Sequence, residues 1–360
     1  MKTNVNIKYT ELVSILNQHF QGNVNLARVK FISLFICSLC KVQSVTFNKI
    51  SRAFDSMAKP ESSMRRIQRF IAGYALDSDL IAKLIFSLLP SQERFKLTID
   101  RTNWKLGQTD INIFMLGVVY KGLAFPLLFT MLEKRGNSNT SERIALIDRF
   151  IRLFGKECID CLVADREFVG EKWLEYLNSE GIEYHIRIRN NFWLYRPDKA
   201  KKVKAAWLFN NLEIGQYRYC SKIVSFKGQY CYVSGCKLKG SDFLIILSFS
   251  KLDSAQENYQ QRWQIETCFK AMKSSGFNIE KTHLTHPDRI EKLILLIMIA
   301  FVWCYKVGIH IHHNIKAIKI KKHGRRARSL FKYGLDYISN CLLNSKNTNK
   351  INLFQFLSCT

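Results

Sequence analysis

Four polar side chains recur at fixed gaps in the second half of the sequence: Tyr259, Arg262, Glu266 and Lys273, at offsets 0, 3, 7 and 14. Their stretch, ENYQQRWQIETCFKAMK (257–273), has no Pro or Gly and many strong helix formers, so it predicts a single helix. At about 100° per residue the four fall within an arc about 60° wide. Lys270 lies nearby on the same face. A phenol, a guanidinium, a carboxylate and an ammonium along one edge suit phosphoryl chemistry. The carboxylate can help hold a divalent metal while the cations fix phosphates. Spacing alone favours a solvated face of ordinary charge pairs. The metal reading therefore sets a test: two aspartates upstream, each at the end of an apolar strand.

Two aspartates pass it. RFKLTIDRTNW runs apolar and β-prone into Asp100, and CIDCLVADREF gives a short apolar strand ending at Asp165. A carboxylate just after a strand can face a cleft while its backbone stays anchored, and adjacent strand ends bring two such groups close together. With Glu266 this makes three oxygen donors, which suit Mg2+ or Mn2+ and not zinc. Two ions held by Asp100, Asp165 and Glu266 would serve an in-line displacement at phosphorus. Arg101 and Arg166 directly follow the two aspartates and can hold the carboxylates or contact DNA. Glu167 and Asp110 fall off the expected strand ends and are set aside.

The pattern Tyr259-x2-Arg262-x3-Glu266-x6-Lys273 resembles the Tyr-Arg-Glu-Lys signature of the DDE transposases of bacterial insertion sequences, in the branch called the insertion sequence 4 family. IDRTNW and ADREF also look like that family's motifs around its first and second aspartates. The resemblance covers residues 95–330 or so and implies a cut-and-paste DNA transposase. It implies a nick, a hairpin on the transposon end, hairpin opening and strand transfer, with Mg2+ (Mn2+ substituting) as cofactor. It also implies a homodimer that synapses two inverted-repeat ends of double-stranded DNA. Two other classes stay open: a nuclease of the same fold that cuts without joining, and a transposase-derived DNA-binding repressor.

The elements needed to position these residues can be read along the chain. Strands at 95–100, 111–120, 123–132, 159–164 and 182–188 alternate with helices at 141–154 and 170–180. The order β-β-β-α-β-α-β predicts an α/β fold, the ribonuclease H-like mixed sheet flanked by helices. From about 190 to 240 the chain stays β-rich, which predicts a β insertion, with 243–248 returning to the core sheet. The resemblance gives such an insertion a part in forming the DNA hairpin. Phe192, Trp193 and Trp207 can stack on a flipped base, Trp207 being the one retained as a DNA contact. Core packing is the plainer reading of each.

Residues 1–92 read as helical, over 12–20, 26–39, 50–57 and 62–74. Arg65, Arg66 and Arg69 follow a helix start at Pro60–Ser62, which suits DNA phosphates. A helical dimerisation domain fits the same pattern. The catalytic domain is expected over 93–290 and a helical C-terminal region with a basic stretch (316–332) over 291–360.

Composition agrees with a polyanionic partner. The 360 residues carry 55 Lys+Arg against 29 Asp+Glu, a formal net charge of +26. Ribosomes or acidic membranes would also attract that charge. The first sixteen residues lack a signal-like apolar core. Eleven cysteines then read as reduced, mostly buried thiols, with a zinc site from Cys37/Cys40 and Cys158/Cys161 the lesser reading. The apolar run 293–305 is too short to span a bilayer and reads as a helix buried beneath the sheet. A bacterial cytoplasmic, nucleoid-associated protein is the expectation.

Overall fold

The computed structural model describes residues 3–90, 94–106, 109–251, 253–344 and 351–358. Two units make up the chain: Met1–Ser91 with Asn103–Ile111 and Phe269–Thr360, and Gln92–Thr102 with Asn112–Cys268.

The first unit is largely helical. It opens with α1 (Thr3–Phe20), α2 (Leu26–Val42), α3 (Phe47–Arg52), α4 (Pro60–Gly73) and α5 (Ser78–Ser87). Asn25 caps α2 by accepting from the Arg28 N–H, and Asp77 caps α5 by accepting from the Asp79 N–H. The helix expected to reach residue 57 stops at Arg52. Beyond it the Ser56 hydroxyl accepts from the Ala58 N–H, a local turn that competes with helix.

The second unit is built on a mixed sheet. Its strands are β1 (Phe95–Leu106), β2 (Thr109–Tyr120), β3 (Leu123–Leu132), β4 (Ile159–Ala164), β5 (Tyr184–Ile188), β6 (Trp193–Arg196), β7 (Lys201–Lys204), β8 (Tyr217–Tyr219), β9 (Val224–Phe226), β10 (Gln229–Lys237) and β11 (Phe243–Ser248). Helices α6 (Thr140–Phe154) and α7 (Glu171–Ser179) follow β3 and β4. A reciprocal capping box between Asn139 and Glu142 starts α6 where the polar break in the sequence implies. The order is β3-β2-β1-β4-β5-β11-β10-β9-β6-β7, with β8 beside β10. Antiparallel β2–β3 and parallel β1–β4–β5 give the ribonuclease H-like arrangement. The insertion widens this same sheet, and β11 returns to pair antiparallel with β5, as its apolar sequence implies.

Two short helices follow, α8 (Ala255–Gln260) in the second unit and α9 (Trp263–Lys270), whose last two residues belong to the first. Back in the first unit come α10 (Pro287–Asn314) and α11 (Leu330–Leu343). At 28 residues α10 is far longer than its apolar run and is long and apolar enough to cross a membrane, but 89% of its most apolar window is buried by the protein. Within its unit it packs on α2, α4, α5 and α11. Gly308 and Gly334 let α10 and α11 touch backbone to backbone: a Cβ on Gly334 would sit 1.8 Å from the Cys304 carbonyl oxygen. The ten described cysteines are free; the Cys40 and Cys304 thiols lie 3.8 Å apart in this packing.

Candidate active site

Register places the two aspartates. In the parallel pairing of β1 with β4, Ile99 faces Ala164, so Asp100 and Asp165 are the next residues on neighbouring strands. Asp165 follows its strand as the sequence implies. Asp100 does not end one: β1 continues through it to Leu106, because Trp104 and Leu106 bury alternate side chains of the longer strand. Each carboxylate accepts from the next backbone N–H, Asp100 from Arg101 and Asp165 from Arg166, both at 2.7 Å.

The helix expected over 257–273 is not continuous. It is α8, a tight joint, α9 and a π-helical turn, Ala271–Ser275. At the joint the bonds are of i→i+3 type, Gln261 N–H to the Asn258 carbonyl and Arg262 N–H to the Tyr259 carbonyl. This rotates Arg262 into the interior, where it is 5% exposed. Its guanidinium donates to Glu266 Oε1 at 2.6 Å and to Asp100 Oδ2 at 3.4 Å. It also lies 5.3 Å from the Trp263 ring centroid. The Tyr259 hydroxyl donates to Asp165 Oδ1 at 3.2 Å, and its ring packs with Leu244 and Ile246. Burial, then the Asp165 charge, pushes Tyr259 up to about 12, so it remains a phenol donor. The structure thus brings Asp100, Asp165, Tyr259, Arg262 and Glu266 together.

The other predicted residues are placed differently. Arg101 turns its guanidinium to Asn112, Asn137 and Glu167, while Arg166 is exposed. Lys270 and Lys273 belong to the first unit, and Lys273 pairs with Glu280 at 3.1 Å. Trp207 is 53% exposed beside a cavity of about 550 Å³ that Arg196, Arg218 and Lys222 also line. Lys201 Nζ lies 5.9 Å from the Trp207 ring, and Lys204 Nζ lies 5.9 Å from that of exposed Trp193.

Two features of the site lay outside the sequence reading. Glu167, set aside there, stands close enough to raise the pKa of Asp100, because the turn after Asp165 brings it back beside β1. The second is a buried polar chain behind α8. Lys96 Nζ donates to Asn258 Oδ1 at 2.7 Å, which leaves Asn258 Nδ2 to donate to His185 Nε2 at 3.0 Å. The imidazole is then protonated on Nδ1, which donates to Ser248 Oγ at 3.0 Å. The only cue was a His in an apolar strand, since Asn258 lies in a polar run that does not mark it. Burial, helped by Lys96, pushes His185 down to about 4. The unfolded chain therefore binds the extra proton between about pH 6.5 and 4, so this group's contribution to stability falls by about 3 kcal/mol as pH drops through that window. His185→Gln should narrow its stability gap to wild type over the same range in denaturant titrations. A gap constant with pH would show that His185 is not held neutral.

Electrostatics at the carboxylates favour a cation. Burial pushes Asp100 up to about 6, against the Arg101 N–H and the Arg262 charge, with Glu167 and Glu266 adding to the rise. Among the described residues Glu167 Oε1 is buried without a hydrogen-bond partner. Hard oxygen donors, a strained carboxylate and an orphaned acceptor fit a divalent ion. Among the described residues no three His, Cys, Asp or Glu stand close enough to share one ion as placed. The Arg262 guanidinium spans Asp100 and Glu266, so an ion between those two requires it to shift.

The family model for the transposase DDE domain matches residues 94–303. No curated protein matches the sequence. Among solved structures the chain is similar to the piggyBac transposase in the cryo-EM structure of its synaptic complex with hairpin DNA. Identity is 13% and the TM-score 0.46, over 98% of this chain and 82% of that one. The family match spans well over half of the 360 residues and contains Asp100, Asp165 and Glu266, and on that ground the chain belongs to the transposase DDE domain family: it is a DDE transposase, a divalent-metal-dependent enzyme of phosphoryl transfer on DNA.

Proposed function

We propose that this chain is the cut-and-paste transposase of a bacterial insertion sequence, in the insertion sequence 4 branch. Its substrate would be duplex DNA bearing terminal inverted repeats, cut through a hairpin on the transposon end and then joined to target DNA by a homodimer. The domain division expected from the sequence accompanies this reading, with end recognition by 1–92 and chemistry by 93–290. The observation that carries it is the meeting of both strand-borne aspartates with Arg262 and Glu266 from α8–α9, in the order and spacing of the Tyr-Arg-Glu-Lys signature.

In this reading Asp100, Asp165 and Glu266 would hold two Mg2+ ions, with Mn2+ substituting. When bound, such ions supply an activated oxygen nucleophile and stabilise the leaving oxygen. The protein's own groups do the positioning. Tyr259 orients Asp165 by donating to Oδ1, the oxygen that also accepts from the Arg166 N–H. Arg262 holds Asp100 and Glu266 at one spacing and screens their repulsion until DNA phosphates arrive. Lys270, Lys273, Arg101 and Arg166 would bind phosphates near the scissile bond. Trp207, exposed beside a basic cavity, would stack on an unpaired base.

The test is cleavage of a labelled duplex carrying the element's own end, with and without Mg2+. Asp165→Asn runs in parallel and is expected to lower the rate more than about a thousandfold. Hairpin product from wild type alone supports the reading. Cutting without joining would mean an endonuclease, and binding without cutting a repressor.

A further inference from the structure

Between α10 and α11 the chain folds in a way its helical flanks do not announce. Residues 316–328 contain seven Lys or Arg and no Asp or Glu. They form a narrow β-hairpin: Ile320 bridges Arg326 in antiparallel fashion, the Lys321 N–H donates to the Arg325 carbonyl, and the Ala327 N–H donates to the Lys319 carbonyl, the last two at 2.8 Å. The Gly324 N–H closes the tip on the Lys321 carbonyl at 2.9 Å. Gly324 has a φ of 78°, a left-handed conformation that makes the tip a turn followed by a bulge.

The base of this ribbon is fastened and its length is not. Ile318 is buried and its N–H donates to His312 Nδ1 at 2.8 Å, while the Tyr333 hydroxyl donates to the Lys316 carbonyl at 3.1 Å. Every residue from Lys319 to Ser329 is exposed. Among the described residues, Arg328 alone of the seven cations has a carboxylate partner, Asp336 at 3.3 Å. A solubilising surface mixes charges of both signs. This one presents a single sign on an exposed, hydrogen-bonded hairpin.

We propose that the 316–328 β-hairpin is a second DNA-gripping element, independent of the carboxylate site, that lies against duplex phosphates without regard to sequence. Only its choice of partner rests on the reading of the chain as a transposase. The ribbon is two strands wide, which the B-form major groove of about 12 Å admits, whereas the deep, narrow major groove of A-form RNA does not. A membrane is disfavoured because Ile320 is the one large apolar side chain from 319 to 329, too little for interfacial insertion.

The test uses the full chain with Lys319, Lys321, Lys322, Arg325 and Arg326 all changed to Gln. All five are exposed, so thermal unfolding should match wild type. Binding of a short random-sequence duplex is measured over a series of KCl concentrations. If the ribbon covers about three phosphates, the log–log salt slope should fall by about 3 and affinity near 0.1 M salt by on the order of a hundredfold. A second variant, Gly324→Val, keeps every charge but strains the tip, and should lose affinity several-fold.

An unchanged slope overturns the proposal. So does an equal loss on duplex RNA, or a loss confined to anionic vesicles. Wild-type affinity in Gly324→Val would show a mere charged tail and overturns the ribbon. If wild type binds through the ribbon yet never cuts an element end, the catalytic reading fails and this one stands. If it cuts while the slope is unchanged by the five substitutions, the reverse holds.

Discussion

Glu266→Gln is expected to abolish cleavage, by more than about a thousandfold, while leaving end binding and folding close to wild type. The carboxylate sits in the first turn of α9 with half its side chain exposed, so its burial contributes little to the core. Gln keeps the length and an oxygen that can still accept from Arg262 Nη2, now 2.6 Å away. What it removes is one full negative charge beside Asp100, which in the proposed reading would be one of three anionic donors for a divalent ion. Removing that charge also relieves Asp100, so the loss of activity cannot come from a destabilised Asp100. Two measurements separate the roles. Cleavage of a labelled element end reports the chemistry, and Mg2+ titration followed by thermal unfolding reports whether the ion still stabilises the fold. Loss of DNA binding together with cleavage would make Glu266 structural. Retained Mg2+ stabilisation with lost cleavage would place the ion elsewhere.

The residues of the site were legible because each lies in a segment whose local chemistry is unambiguous. FKLTI and IDCLVA are strands by composition, and they deliver Asp100 and Asp165 to the same sheet. What the local pattern did not carry was the backbone between and beyond. The polar run RTNW looks like a turn, yet it continues β1, since strand pairing with β2 satisfies a backbone that its side chains leave ambiguous. Nothing in ENYQQRWQIETCFKAMK marks a break. The joint at Arg262 is fixed by distant partners: Asp100 for the guanidinium, and Lys96 and His185 for Asn258 just before it. Tertiary contacts override helix propensity there, and the π-helical turn at Ala271–Ser275 ends the regular helical period before Lys273. Glu167 was missed for the same reason, because a turn's direction depends on what it packs against. In the basic stretch the one local cue, Gly324, marks a tip but does not say what it joins.

Arg262→Ala should be the most disruptive single change at the site. The guanidinium is 5% exposed and lies between two carboxylates, one of which, Asp100, is itself buried enough to be pushed up to about 6. Removing the cation leaves Asp100 facing Glu167 and Glu266 with only the Arg101 N–H in opposition, and its pKa rises further. Loss of a buried charge partner costs about 3 kcal/mol at pH 7. The sign with pH is fixed: as pH falls through about 6, Asp100 takes up a proton, no longer needs the cation, and the penalty shrinks. Arg262→Lys should recover part of the stability, since a point charge reaches one carboxylate but cannot fork to both. Urea titrations at several pH values test this, with a penalty that grows on acidification as the adverse result. DNA binding supplies the second axis. If Arg262 acts through the carboxylates, Arg262→Ala leaves the salt slope of binding unchanged; if it leaves them for a phosphate in the bound state, the slope falls by about 1. Because the guanidinium must move for an ion to lie between Asp100 and Glu266, the slope should drop only when Mg2+ is present, and an equal drop without Mg2+ would break the link between ion binding and release of the arginine.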